Sequence, residues 1–254
     1  MAKDFPEFSM ETRVRYGESG PNGQVKLSAV ANWFQEAAGL NADELGFGDE
    51  KMFACGLTWV LTRMIFRISR MPQVGEQVRV RTWPSLSEHF WNRGYELYDA
   101  EGRLLMQSTG AWTVMDIASR RMAPMPEELQ AAFPRQTFPT MPFLPSSAPR
   151  LRQAEQEAPI LVRRDDLDMN GHVNNTRYLG WLMEPLDLKG EALALLDISF
   201  RAECFPGDAI ASRVSAPEPD PENPAFQNRV HALVRTSGEK PLDVCRAVTR
   251  WGRA

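Results

Sequence analysis

Cysteine is scarce in this 254-residue chain, and the three present, Cys55, Cys204 and Cys245, are far apart with no C-x-x-C spacing. That excludes a disulfide framework and a paired-cysteine zinc site, and it suits reduced thiols in a cytosolic protein, two or three of them in the core. No stretch approaches the roughly 20 apolar residues of a membrane span. The opening MAKDFPEFSMET has no apolar segment of the kind a secretory signal needs, so none is expected. A basic excess is missing too: the net charge is −4, whereas nucleic-acid binders carry a basic stripe. What remains is a composition of 43% hydrophobic and 24% charged residues, ordinary for a globular protein with a sizeable core. The length allows one large domain or two of roughly 100 to 150 residues.

Proline marks the organisation. Eight prolines between positions 122 and 159 rule out a regular helix or an inner strand throughout that stretch, which reads as a connector. Within it, PEELQAAF (126–133) predicts one short helix opening at Pro126. Before the connector come a strand, a helix and several strands. In LSAVANWFQEAAGLNADELG (27–46), Val30, Phe34, Ala37, Asn41 and Leu45 recur at helical spacing, with Ser28 as the N-cap and Gly46 as the stop. After the connector the order recurs: PILVRR is strand-like, residues 174–186 form a helix capped by Asn174 or Asn175 and closed near Pro185, and four strands follow.

The halves share residues as well as order. Shifted by 148 positions, VRYGESGPNGQVKLSAVANWFQE lies on VRRDDLDMNGHVNNTRYLGWLME without a gap, and seven of 23 positions are identical. FRISRMPQVGEQVRV (66–80) echoes FRAECFPGDAIASRV (200–214), with a two-residue difference before the glycine. An internal duplication accounts for both. Asn170 and Gly171 match Asn22 and Gly23, so the turn is kept in both copies. His172 faces Gln24 and Asp168 faces Gly20, so only the second copy carries a titratable set.

LDMNGHVNN (167–175) is therefore the candidate site. Alternate residues of an extended segment share a side, so Asp168, Asn170 and His172 can project together. Gly171 lets the chain turn into a helix whose first N–H groups can hold a developing oxyanion. A His moves protons near neutral pH. The plainer reading is an Asx-turn and N-cap with a surface His. Glu203 and Cys204 end an apolar strand and are the second candidates. Glu203 can activate water or pair with Arg201; Cys204 is a nucleophile or a small core thiol. His89 and His231 have no companion residues. Arg63, Arg67, Arg70, Arg79 and Arg81 give the first half a basic face, either solvated or a dock for an acidic carrier.

DLDMNGHVNNTRYLGWLME resembles the signature region of acyl-acyl carrier protein thioesterases; LTWVLTRM, RMPQVGEQVRVRTWPS and FRAEC resemble their bacterial members. The resemblance implies an α+β tandem hot-dog fold, two antiparallel sheets each wrapped around a long helix. It assigns residues 1–121 to a module holding the acyl chain, 122–157 to the linker and 158–254 to the catalytic module. By motif position the family's catalytic Asp, Asn, His and Glu fall on Asp168, Asn170, His172 and Glu203, and its Cys on Cys204. Backbone N–H groups of Val173 and Asn174 are then expected to hold the oxyanion. No metal or cofactor is implied. The implied partner is acyl carrier protein with its phosphopantetheine-linked acyl chain, met by a cytoplasmic monomer or homodimer. Two mechanisms stay open: attack by Asp168 on the thioester, or attack by water deprotonated by Glu203 or His172. The alternatives are an acyl-CoA thioesterase of the same fold and a non-catalytic acyl-thioester sensor.

Overall fold

A computed structural model of the protein describes residues 7–86, 91–133, 139–187 and 190–253; His89 lies outside them. The chain divides into two compact units, residues 1–64 with 69–142 and residues 65–68 with 143–254, so the proline-rich connector is shared between them.

The first unit contains β1 (Phe8–Arg13), α1 (Leu27–Leu45), α2 (Asp49–Ala54), β2 (Leu57–Ile68) except its last four residues, β3 (Gln77–Leu86), β4 (Trp91–Asp99), β5 (Leu104–Asp116), the short β6 (Arg121–Met122) and α3 (Glu127–Ala132). Its strands order as β1-β3-β4-β5-β2. Helix α1 lays the apolar stripe read from the sequence against this sheet: Val30, Phe34, Ala37 and Asn41 are buried, and the Phe34 ring stacks on Tyr95 of β4 at 4.9 Å. Gly46 ends the helix in the left-handed region at φ 85°. The N-cap is Lys26 rather than Ser28: its carbonyl already accepts from the Ala29 and Val30 N–H groups, so the helix starts two residues earlier.

One polar contact interrupts the stripe. The buried Arg93 guanidinium on β4 donates to Asn41 Oδ1 at 2.7 Å and reaches Thr82 Oγ1 at 3.4 Å. Both partners are neutral, and burial pulls the guanidinium down to about 10. Two of the five arginines expected in the basic face are paired with carboxylates: Arg70 with Glu76 and Asp99, and Arg81 with Glu7 and Glu96, while Arg79 lies over the Tyr98 ring.

The second unit contains β7 (Gln156–Leu161), α4 (Asn175–Trp181), β8 (Glu191–Phe200), β9 (Ala209–Val214), the short β10 (Glu218–Pro219), β11 (Gln227–Arg235) and β12 (Leu242–Arg253). Its order, β7-β9-β11-β12-β8, repeats the first position by position. Pro159 sits in β7, the end strand, where a missing N–H costs no ladder bond on the outer side. The helix is shorter than expected. Pro185 cannot bond back to Trp181 and its ring crowds that carbonyl, so α4 stops at Trp181 and turns follow. The freed Trp181 carbonyl accepts the Ser212 hydroxyl at 2.6 Å instead. Among the described residues, only the first unit has a long helix.

The duplication extends to single hydrogen bonds. Gly20 N–H to Gln24 O at 2.8 Å matches Asp168 N–H to His172 O at 2.8 Å. Lys26 to Glu18 at 2.8 Å matches Asn174 to Asp166 at 2.9 Å. The bridges Ser19–Val25 and Leu167–Val173 close both loops, and Gly23 and Gly171 share φ 76°, a conformation other L-residues resist. Downstream, Gly75 to Val14 matches Gly207 to Val162, a spacing of 132. The two-residue difference before the glycine is thus real in the sequence echo, but Ser69 and Arg70 to Leu105 O match Arg201 and Ala202 to Val244 O at the same spacing of 132, so Phe66 stands opposite Ile198 and the overlay on Phe200 is two residues out of register. A two-residue slip keeps every side chain on its own face, which is why the sequence tolerates it.

His231 on β11 is fully buried, with Nε2 2.8 Å from Thr249 Oγ1. Burial and the Arg229 charge push it down to about 3. In the unfolded chain it titrates near 6.5, so its contribution to stability is intact above that pH and fades as pH falls toward 3. Chemical denaturation at pH 6.5 and 4.5 is expected to show a loss roughly 2 kcal/mol larger for the native chain than for His231→Gln.

Candidate active site

After β7 the chain makes a 3-10 turn at Arg164–Asp166, a tight loop, and α4. The Arg163 N–H is held by Asp166 Oδ2 at 2.9 Å. Asp168 Oδ1 accepts from the Asn170 N–H at 2.9 Å and the His172 N–H at 3.3 Å, so the Asx-turn of the plainer reading is present. The N-cap is present as well: Asn174 Oδ1 accepts from the Thr176 N–H and hydroxyl, both at 2.9 Å. These bonds build the loop, and they leave the His172 ring for other work.

That ring is half-buried. Its Nδ1 lies 3.7 Å from Glu203 Oε1, and Phe205 meets it edge-on at 5.3 Å between centroids. Residues 201–205 follow the end of β8 without ladder pairing. Arg201 and Ala202 direct their N–H groups to Val244 O at 2.9 and 3.3 Å. Three successive carbonyls then each receive a donor: the Tyr178 hydroxyl on Ala202 at 3.4 Å, Arg235 Nη1 on Glu203 at 3.3 Å, and the Val173 N–H on Cys204 at 3.1 Å.

The structure thus brings His172 to Glu203 and puts Asp168 beneath the same loop. The Asn170 side chain is exposed at the loop tip. Cys204 is buried, and burial pushes its thiol up; a buried neutral thiol suits a core residue, not a nucleophile. The oxyanion expectation needs correction. The Val173 N–H is spent on Cys204 O and the Asn174 N–H on Asp166 O at 2.9 Å, so neither amide has a proton to offer a substrate here. Sequence reasoning missed Tyr178 and Arg235. The signal for Tyr178 was an aromatic inside NNTRYLGW opposite Val30 of the sister copy; Arg235 had none.

In the first unit the matching loop holds Gly20, Asn22 and Gln24, and Asn22 donates through its side chain to Gln24 Oε1 at 2.9 Å. By the spacing of 132, Met71 stands where the second unit has Glu203. The arrangement in the second unit can accept, hold and return a proton beside an electrophilic carbonyl, while its sister cannot.

Comparison with known proteins bears on what this arrangement serves. The model of the acyl-ACP thioesterase N-terminal domain matches residues 6–133, and that of the C-terminal domain matches residues 150–252. A palmitoyl-acyl carrier protein thioesterase, chloroplastic, of Gossypium hirsutum is 28% identical over 272 residues, covering 96% of this chain and 63% of its own. An oleoyl-acyl carrier protein thioesterase 2, chloroplastic, of Arabidopsis thaliana is 29% identical over 231 residues, covering 82% of this chain and 62% of its own. The chain thus spans less than two thirds of the length of the curated relatives it matches. The fold is that of an oleoyl thioesterase (putative) from Lactobacillus plantarum, with a TM-score of 0.86 at 24% identity, covering 97% of this chain and 96% of that one. It is likewise that of the 12:0-ACP thioesterase from Umbellularia californica, with a TM-score of 0.82 at 24% identity, covering 99% and 96%. The tandem hot-dog architecture is thereby established. With both halves matched in order, the chain belongs to the acyl-ACP thioesterase family.

Proposed function

We propose that the protein hydrolyses the thioester of a fatty acyl-acyl carrier protein, releasing the free fatty acid and the carrier's phosphopantetheine thiol. The observation that carries this reading is the His172–Glu203 pair at 3.7 Å, held on a loop whose sister in the first unit has neither group. In the mechanism that fits best, the His172–Glu203 pair takes a proton from water as its oxygen attacks the carbonyl carbon, and the C–S bond breaks as the thiolate leaves with the proton. Asp168 serves by holding the loop, since its Oδ1 already accepts two N–H groups of that loop. Asn170, exposed at the tip, orients the incoming thioester. The first unit, whose loop lacks the titratable set, is assigned the acyl chain. The three free thiols Cys55, Cys204 and Cys245 fit a cytoplasmic setting.

The test is hydrolysis of acyl carrier proteins bearing chains of several lengths, beside the matching CoA esters. Carrier-bound substrates are expected to give the higher kcat/KM; equal or better turnover of the CoA esters sinks the carrier reading. A single turnover in isotopically labelled water is expected to leave Asp168 unlabelled. Label in that carboxylate would establish covalent attack by Asp168.

A further inference from the structure

We propose that Tyr178 and Arg235 are positioning residues that fix Glu203 against His172. The inference rests on the reading that this pair performs the hydrolysis. Glu203 lies on irregular chain, where a carboxylate is only as well placed as its own backbone. That backbone is pinned one carbonyl at a time by three elements: Tyr178 of α4 on Ala202, Arg235 of β11 on Glu203 itself, and the loop amide of Val173 on Cys204. Tyr178 is well placed for the task. Its ring is buried and lies 5.3 Å from Trp181 and 5.6 Å from Phe200, so the hydroxyl that holds the carbonyl just before Glu203 sits on a fixed ring. Arg235 is itself steadied by Asp208 at 3.5 Å.

The sister unit separates this role from plain stability. It keeps the backbone bond, Val25 N–H to Pro72 O at 2.9 Å, in the place of Val173 to Cys204. The side-chain braces are gone. Val30 stands opposite Tyr178 in the 148-residue register. The ladders place Val78 beside Asp99 and Ile210 beside Arg235, so Asp99 stands where Arg235 does. Neither a valine side chain nor a carboxylate can donate to a carbonyl. Where Met71 replaces the glutamate, the chain folds the same segment without the braces. The braces therefore accompany the carboxylate rather than the fold.

The experiment is a double-mutant cycle on acyl-carrier-protein hydrolysis. Tyr178→Phe keeps the ring and removes the hydroxyl. It is expected to lower kcat about tenfold with KM within about twofold, since a small misplacement of a catalytic group is enough for such a loss. In a Glu203→Gln background the same change is expected to have no further effect on kcat. Arg235→Met is expected to behave like Tyr178→Phe, and Arg235→Lys, which keeps a donor, to recover most of the rate. A melting temperature for each variant separates folding loss from misplacement. Equal losses from Tyr178→Phe with and without Glu203, or an unchanged kcat in the presence of Glu203, overturn the inference. If Glu203→Gln alone leaves the rate intact, the hydrolytic reading of the pair falls and the positioning role falls with it.

Discussion

His172→Ala is expected to lower kcat/KM on acyl carrier protein thioesters by about 10² to 10⁴ while leaving the melting temperature within a degree or two. The two halves of that expectation come from different atoms. The loop is closed by main chain: Asp168 to His172, Gly171 to Asp168 and Asn174 to Asp166. None of these bonds uses the imidazole. The sister loop shows the same closure with Gln24 in the place of His172, so a non-titrating residue is sterically acceptable. The ring's own neighbours are the Glu203 carboxylate and the edge of Phe205. Removing it leaves a half-exposed dent beside the Glu203 carboxylate and takes away the proton carrier. Thiol release under steady state together with a thermal melt checks both halves. Activity within about threefold of the native chain would rule out the imidazole as the proton carrier.

Asn41→Leu is expected to be the most damaging single change to the fold, costing about 3 kcal/mol in urea denaturation. The Arg93 guanidinium is buried between α1 and the first sheet, and Asn41 Oδ1 at 2.7 Å is its closest acceptor. Burial already makes it easier to deprotonate than a surface arginine. Leucine is close to asparagine in size, so little packing is lost; the cost is a buried cation deprived of an acceptor. The remaining contact to Thr82 Oγ1 is long at 3.4 Å and neutral. Adding Arg93→Met removes the cation, and the double variant is expected within about 1.5 kcal/mol of the native chain. A double variant as unstable as Asn41→Leu alone would show that the asparagine matters for packing, not for charge.

Much of this was legible in the residues. The α1 stripe, its Gly46 stop, the Pro126 start of α3 and the Asn174 cap each follow from a local rule, and local rules are what a sequence displays most openly. The repeat was legible because it preserved a glycine that must adopt positive φ and an asparagine beside it. Other features were hidden for physical reasons. The early end of α4 required weighing Pro185 against Trp181, four residues back. The register of β8 escaped because a two-residue shift leaves the in-out pattern unchanged. The commitment of the Val173 and Asn174 amides depended on carbonyls at Cys204 and Asp166, and the first of these lies far along the chain. Arg235 could not be found from pattern at all, since its acceptor is a backbone carbonyl in another strand's tail.

The closure of both loops by the same set of main-chain bonds, none of which uses the His172 imidazole, carries an evolutionary corollary. A hairpin that owes most of its form to amides and one permissive glycine imposes little folding penalty when a side chain outside that closure, such as the imidazole at 172, is exchanged. After an ancestral gene doubled, one half was free to shed its reactivity by drift and still fold as before. Selection on turnover then had a single loop left to guard.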